Sequence, residues 1–332
     1  MKIFWRSVSL IAVLFAATTG GIHAAQPAVG DPAAGFPSKP IRIVIGFTPG
    51  GVPDITARLI AQKLTESWKQ QVVVDNRTGA GGTIAANIVA NANPDGYTLL
   101  SVSNAHAVAP AVYAKLPYDT VKDFAGITMT AKGPALLLVS PLLGVKSARE
   151  LIALAKTKPG QFNFSSAGVG SGTHFAAELF TNMAGLSVVH VPFKGIPEAI
   201  TETISGRVQF FLSPFASAFN LVKEGKVRAI GVTSTQRASQ LPDVPTVAES
   251  GLPGYRFEFW YGLLTSAKTP RAIIAALNRE ITGILNQPEV RTRWVALGAE
   301  PAPTTPAQFD KLIAEDIVAL TKLARASNIR AD

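Results

Sequence analysis

The clearest pattern in the sequence is a β-branched, largely apolar run at residues 41–45, which predicts a strand buried on both faces. Two prolines and two glycines within residues 48–54 end that strand. A helical pattern follows at residues 55–66, with apolar residues on one face and charged residues on the other. Asp54 suits the positive end of the helix dipole. The segment therefore predicts a strand, a glycine turn and a helix in direct succession.

The same arrangement occurs twice more. Residues 79–82 form a glycine-rich turn between a predicted strand and a helix, and residues 166–174 form a third that adds hydroxyl groups. Glycines let a ligand approach the main chain, and free N–H groups at a helix N-terminus suit an anion. Ordinary tight turns and helix caps give the same pattern without any ligand. Several such turns in one chain favour a clamp that closes on a small acid.

Alternating strands and helices predict an α/β chain with mainly parallel sheets and flanking helices. Further strands are expected at residues 97–102, 125–131, 135–139, 188–191, 208–212 and 227–233, and helices near 270–285, 288–297 and 306–326. Capping boxes stand at residues 147–150 and 246–249. The second of two neighbouring strands, 135–139, is a candidate for crossing between lobes.

The N-terminus has the pattern of a signal peptide over residues 1–25. A basic start precedes an apolar core at residues 8–17, which is too short to span a membrane, and small residues lead to Ala24 and Ala25. Cleavage is expected near one of these two alanines, followed by a linker at residues 26–35. The alternative is a buried N-terminal helix. The sequence has no cysteine, so an exported chain must be held together by its core.

Composition and charge limit the kinds of binding partner that the chain can have. The chain has 332 residues, is 47% hydrophobic and carries a formal charge of +9, of which +7 remains after residue 25. The basic residues are scattered rather than clustered, which argues against nucleic acid as a partner. Mild steering of a small anion fits an exported basic protein better.

Candidate catalytic chemistry is weak. Ser171 and His174 could serve a hydrolase, but Ser171 is not at the third place of a Gly-x-Ser-x-Gly elbow. The histidines at 106, 174 and 190 have no metal-ligand spacing, and no P-loop or dinucleotide fingerprint is present. No cofactor and no metal are therefore expected, and the hydrolase stays an alternative.

Seven short motifs, in order along the chain from about residue 35, resemble one known family. They are residues 47–51 (FTPGG) with Asp54, 76–82 (NRTGAGG), 95–97 (DGY), 116–119 (LPYD), 170–174 (GSGTH), 190–195 (HVPFKG) and 241–246 (LPDVPT). On these motifs the sequence resembles the periplasmic receptors of tripartite tricarboxylate transporters, the Bordetella uptake gene (Bug) family.

The resemblance implies a two-lobed type II periplasmic-binding-protein fold, with residues 36–136 and 260–332 in one lobe and 137–259 in the other. It also implies two walls that hold a ligand carboxylate. The implied ligand-binding residues are Phe47, Thr48, Pro49, Gly50, Gly51 and Asp54 on one wall, Ser166, Gly170, Ser171 and Thr173 on the other, and Ser103, Asn104 and Phe193 as further candidates.

Three departures from the family pattern bear on the ligand. Val52-Pro53 replaces a small residue and threonine, Phe193 replaces a tyrosine, and residues 210–214 lack an acidic residue often found there. A ligand amino group then has less to pair with. We therefore expect an aromatic or otherwise apolar carboxylate to bind more tightly than an amino acid such as aspartate.

The sequence thus predicts a periplasmic, monomeric solute-binding protein that is not an enzyme. It would capture a small organic carboxylate between two lobes and deliver it to membrane permease subunits. A receptor of the same fold that serves as a sensor subunit for a signalling partner is the main alternative.

Overall fold

The computed structural model describes Met1 and residues 33–296, 298–326 and 329–330. The predicted signal peptide after Met1, and the linker before residue 33, lie outside these residues. No helix in the described segments combines the length and the apolar character that a membrane crossing requires.

The described residues form ten strands and ten α-helices, which alternate along most of that part of the chain. The strands are β1 (Ile41–Ile45), β2 (Val72–Asn76), β3 (Thr98–Ser103), β4 (Phe124–Val139), β5 (Asn163–Ser166), β6 (Val189–Pro192), β7 (Phe210–Pro214), β8 (Arg228–Val232), β9 (Glu258–Ser266) and β10 (Glu300–Pro301). The helices are α1 (Val52–Trp68), α2 (Thr83–Ala90), α3 (Asn104–Val112), α4 (Ala148–Lys156), α5 (Gly172–Ala184), α6 (Ile196–Ile204), α7 (Phe215–Lys223), α8 (Arg271–Leu285), α9 (Pro288–Ala296) and α10 (Pro306–Ala326). The predicted alternation of strands and helices is confirmed.

The strands form two halves of one hydrogen-bonded sheet that meet in β4. In the first half β2, β1 and β3 run parallel, followed by β9, which is antiparallel to β3 and to the first part of β4. In the second half β6, β5 and β7 run parallel, and the end of β4 pairs antiparallel with β7 and β8. Residues 135–139, expected as a separate crossing strand, lie in the second half as the end of β4, and it is the whole of β4 that passes from one half to the other.

The sheet is more mixed than the sequence analysis expected. The strands that feed helices across the sheet are parallel, whereas β4 and β9 add antiparallel ladders. Strand β9 was not predicted, because eight of its nine residues are buried, so it lacks alternation, and unlike β1 it has only one β-branched residue, Thr265, to mark a buried strand. The predicted lobe boundaries, at residues 136/137 and 259/260, fall inside β4 and β9 and stay a prediction.

Strand β1 is buried on both faces, as its sequence predicts. Ile41, Ile43 and Ile45 pack into one apolar cluster with residues of α1 and α8, while Val44 belongs to a second cluster on the other face. The end of β1 is thereby fixed, and the turn that follows it starts from a rigid position.

Candidate functional site

The N-terminal ends of five helices converge on one cleft between the two halves of the sheet. Its lining consists of Phe47, Thr48, Gly51, Pro53, Ser103, Ala167, Ser171, Gly172, Thr173, Ile196, Pro214, Phe259 and Tyr261. Among these residues Gly51, Ser103, Ser171 and Pro214 are the N-caps of α1, α3, α5 and α7, and Ile196 is the first residue of α6. All of the lining residues are uncharged. Because helix N-termini carry partial positive charge, the cleft is suited to an anion.

The turn after β1 presents an open helix N-terminus. Gly51 caps α1 without any side-chain hydrogen bond, and Pro53 follows within the first turn. Within the described part of the chain, no acceptor is assigned to the main-chain N–H groups of Gly51 and Val52. These donors lie where a ligand carboxylate could accept their hydrogen bonds.

The structure places Asp54 behind this turn rather than in the cleft. Its carboxylate accepts hydrogen bonds from the Gly50 N–H at 3.1 Å, from Arg58 Nε at 3.0 Å and from Asn76 Nδ2 at 3.1 Å. Burial acts to raise the pKa of Asp54, but the hydrogen bonds from Arg58, Gly50 and Asn76 outweigh it and hold that pKa below its ordinary value. Asp54 therefore fixes the shape of the turn.

The second glycine-rich turn supports the first by close packing. A Cβ atom on Gly46 would lie 2.4 Å from the Cα of Gly82, so the two main chains touch. Gly82 also has a φ of +96°, which favours glycine. The turn at residues 79–82 thus helps to hold the first turn in place, and none of its own residues lines the cleft.

The opposite wall is built by the turn between β5 and α5. The Ser171 hydroxyl accepts from the His174 main-chain N–H at 3.2 Å, and the Thr173 hydroxyl accepts from the Ala167 N–H at 2.9 Å. These contacts hold two hydroxyl oxygens at the cleft. Ser166 and Gly170 lie behind it, the first bonded to His190 and the second to the His174 ring.

The Ser171–His174 pair lacks the geometry of a nucleophile and its base. The His174 imidazole accepts from the Gly170 N–H at 3.3 Å through Nδ1, and its Nε2 faces Glu178 Oε1 at 3.5 Å. It also stacks on His190 with ring centroids 3.9 Å apart. Burial, with a smaller electrostatic contribution from the adjacent His174, lowers the pKa of His190 to about 3. The Ser171 hydroxyl bonds to the main-chain N–H of His174 and to the Thr173 hydroxyl, and not to the His174 ring, so this arrangement gives a hydrolase no support.

The remaining predicted residues lie at the rim or behind the wall. Pro49 and Gly50 are exposed at the rim. Asn104 is buried and accepts from the Trp260 N–H at 3.0 Å, so its side chain ties α3 to β9. Phe47, Thr48, Gly51, Ser103, Ser171 and Thr173 are the predicted residues that the structure brings together in the cleft.

Phe193 lines a second cavity that adjoins the cleft. This side chamber is roomier than the cleft and shares Phe47 and Ala167 with it. Its other lining residues are Gly46, Gly79, Ala80, Gly81, Tyr113, Gly168, Val169, Phe193 and Lys194. Aromatic rings and one exposed lysine thus border the space beside the cleft.

Two segments from opposite halves of the sheet meet across the mouth of the cleft. Thr48, which follows β1, donates through Oγ1 to Glu198 Oε2 of α6 at 3.4 Å. The lack of a side chain on Gly195 leaves room for Thr48, because a Cβ there would lie 1.8 Å from Thr48 Oγ1. The described conformation is therefore closed over the cleft.

Phe259 and Tyr261, which both line the cleft from β9, were not predicted from the sequence. Neither belongs to a motif that the sequence made visible, and the strand itself was not predicted. The described residues contain no group of three histidine, cysteine or acidic side chains placed to hold a metal ion.

Two α/β halves that close on an uncharged cleft ringed by helix N-termini define a solute receptor of the periplasmic-binding-protein type. The model of the tripartite tricarboxylate transporter family receptor, TctC, matches residues 56–329, and the chain belongs to that family. The resemblance noted in the sequence is thereby confirmed, as is the fold class.

Individual relatives agree with this assignment. The chain is 34% identical to Protein BugT of Bordetella pertussis, over 90% of this chain and 92% of that one. It superposes with a TM-score of 0.86 on R. palustris Rpa4515 with adipate, at 32% identity, covering 89% of this chain and 99% of that one. MatC from Rhodopseudomonas palustris with bound malate gives a TM-score of 0.82 at 33% identity, covering 87% and 99%.

Proposed function

We propose that this protein is a periplasmic solute receptor that captures a small organic carboxylate in the cleft and delivers it to tripartite tricarboxylate-type permease subunits. The family and the fold are those of solute-binding receptors. In this proposal the protein acts as a monomer, does not change its ligand chemically, and needs neither a cofactor nor a metal.

The observation that carries the proposal is the ring of helix N-termini around an uncharged cleft. Each helix dipole favours a nearby anion by about 0.3–1 kcal/mol, and by up to about 2 kcal/mol when partly buried. Hydrogen bonds from the open N–H groups to a carboxylate each add about 1.5–3 kcal/mol. Micromolar affinity requires about 8.2 kcal/mol. One carboxylate can supply a large part of this, and the rest of the ligand must supply the remainder.

Two relatives are described with carboxylates, Rpa4515 with adipate and MatC with malate. Because they are 32% and 33% identical to this chain, we infer the same class of ligand for it. Both acids are suitable first probes.

The cleft favours an apolar ligand body over an amino acid. Phe47, Ile196 and Phe259 supply apolar surface, and no lining residue is acidic. Glu198 approaches only from the rim, where Thr48 donates to it. The side chamber beyond Phe47 has room for an aliphatic or aromatic extension, with Lys194 at its border. We therefore propose an aromatic or otherwise apolar mono- or dicarboxylate as the preferred ligand.

Calorimetric titration of the mature protein tests the proposal. The panel is adipate, malate, succinate, citrate, benzoate, phthalate and aspartate, preceded by a thermal-shift screen. We expect saturable one-to-one binding of at least one carboxylate, with the ligand recovered unchanged. Tightest binding of aspartate would contradict the apolar preference, and turnover of a bound acid would contradict the receptor role.

Transport and sensing are separated by a second experiment. Deletion of the gene should abolish uptake of the radiolabelled ligand by intact cells, and plasmid expression should restore it. Normal uptake together with a lost transcriptional response to the ligand would favour the sensor alternative.

A further inference from the structure

Tyr261, which lines the cleft, has a buried hydroxyl group without a hydrogen-bond partner among the described residues. Tyr261 is 3% exposed and lines the cleft, yet its hydroxyl has no hydrogen-bond partner among the described residues. Buried hydroxyl groups in native proteins are nearly always hydrogen-bonded, because leaving one unpaired is costly. An unpaired hydroxyl at a cleft ringed by helix N-termini calls for a partner that arrives with the ligand.

The position of this hydroxyl is fixed by the sheet. Tyr261 pairs with Ser103 of β3 on one side and with Ala131 of β4 on the other, so it sits on an interior strand. Phe259, two residues earlier on the same face, also lines the cleft, and the two rings lie 6.3 Å apart at 19°. Ser103 is the N-cap of α3, so the tyrosine lies beside one of the converging helix ends.

We propose that the Tyr261 hydroxyl donates a hydrogen bond to a carboxylate oxygen of the bound ligand and is a main determinant of affinity for carboxylates. This inference rests on the proposed receptor function. Burial raises the pKa of Tyr261 far above its ordinary range, so the phenol stays protonated and can donate. The donor adds no charge to the cleft, which agrees with the uncharged character of the other lining residues.

Tyr255 provides a matched control within the same chain. It is also buried, at 2% exposure, but its hydroxyl donates to the Ala176 carbonyl at 2.8 Å and it does not line the cleft. Removing the hydroxyl from Tyr255 breaks a bond inside the folded protein. Removing it from Tyr261 breaks no hydrogen bond that the described residues make without ligand.

The test compares Tyr261→Phe and Tyr255→Phe by calorimetric titration with adipate and malate and by thermal unfolding without ligand. We expect Tyr261→Phe to weaken binding by about 10- to 100-fold, as for loss of a hydrogen bond to a charged group, with an unchanged or higher melting temperature. Tyr255→Phe should lower the melting temperature and keep the wild-type dissociation constant.

Two results would overturn the inference while the receptor function stands. One is binding by Tyr261→Phe within twofold of the wild-type protein. The other is a fall in its ligand-free melting temperature as large as that of Tyr255→Phe, which would make the hydroxyl structural. If the wild-type protein bound none of the carboxylate panel, the proposed function would fail and this inference with it.

Discussion

A single methyl group at Gly195 should act as a wedge between the two halves of the protein. Gly195 is the N-cap of α6 with a φ of −169°, a conformation open to any residue. A Cβ there would lie 1.8 Å from Oγ1 and 3.0 Å from Cβ of Thr48, and 2.9 Å from Glu198 Oε2. Thr48 belongs to the turn after β1, on the other half of the sheet. The clash with Thr48 therefore exists only while the cleft is closed, whereas Glu198 lies on the same helix that Gly195 caps.

The size of the effect follows from this geometry. Overpacking by one methyl group typically costs about 1–3 kcal/mol. Because the cost falls on the closed, ligand-binding form alone, Gly195→Ala should raise the dissociation constant by about 5- to 150-fold. Loss of a glycine N-cap should cost the fold no more than about 1 kcal/mol.

Calorimetric titration with the best carboxylate of the panel, and small-angle scattering with and without it, measure affinity and closure. Gly283→Ala is the control: Gly283 lies in α8 and its added Cβ meets nothing within 4 Å. In a Thr48→Ala background the penalty of Gly195→Ala should shrink, since the atom at 1.8 Å is gone. Wild-type affinity for Gly195→Ala would refute the wedge and the closed conformation on which it depends.

Three further predictions follow from the described turns and the N-terminus. Gly51→Val should abolish carboxylate binding in titration. Unfolding of this variant should stay cooperative, because a Cβ at residue 51 meets only ordinary contacts of 3.6 Å or more. Gly46→Ala should instead lower the melting temperature, since its Cβ would lie 2.4 Å from main chain. The pKa of Asp54 is lower in the folded than in the unfolded protein. Its contribution to the free energy of unfolding is therefore complete above the unfolded-state pKa and is lost as pH falls through the folded-state pKa. Denaturant titrations should therefore show Asp54→Asn about 1–3 kcal/mol less stable than wild type at pH 7, with the gap closing below about pH 4; a constant gap would contradict this. Mass spectrometry of the periplasmic protein should find a start near Ala25 or Gln26, and full-length protein retained in the cytoplasm would contradict export.

The sequence predicted best what is decided locally. At residues 147–150 the Ser147 hydroxyl accepts from the Glu150 N–H at 3.2 Å at the start of α4, as expected, whereas the Glu150 carboxylate accepts from the Lys146 N–H at 2.8 Å and not from that of Ser147. At residues 246–249 both reciprocal bonds of a capping box form, at 2.8 and 3.1 Å, but turns and not a helix follow. Gly251 at φ +146° and Pro253 supply the reason, because neither continues a helix.

The rest of the cleft depends on contacts between distant segments. Tyr261 reaches it because β9 pairs with β3 and β4, and nothing in the local pattern of residues 258–266 specifies those partners. Asp54 follows the turn in the sequence, but its side chain points to Arg58 and Asn76 rather than to the cleft. Order along the chain predicts which turn forms a wall, whereas side-chain direction decides which residues line it.

The uncharged lining has a consequence for ligand release. Gly51 and Ser103 place the ends of α1 and α3 on one side of the cleft, while Ser171, Ile196 and Pro214 place those of α5, α6 and α7 on the other. A carboxylate held by such dipoles, without a salt bridge, loses the helix N-termini of one side when the halves separate. At about 0.3–1 kcal/mol for each helix end, separation from three of them weakens binding by about 1–3 kcal/mol, or roughly 5- to 150-fold. A permease that opens the cleft would therefore lower the affinity without needing to displace the ligand by competition.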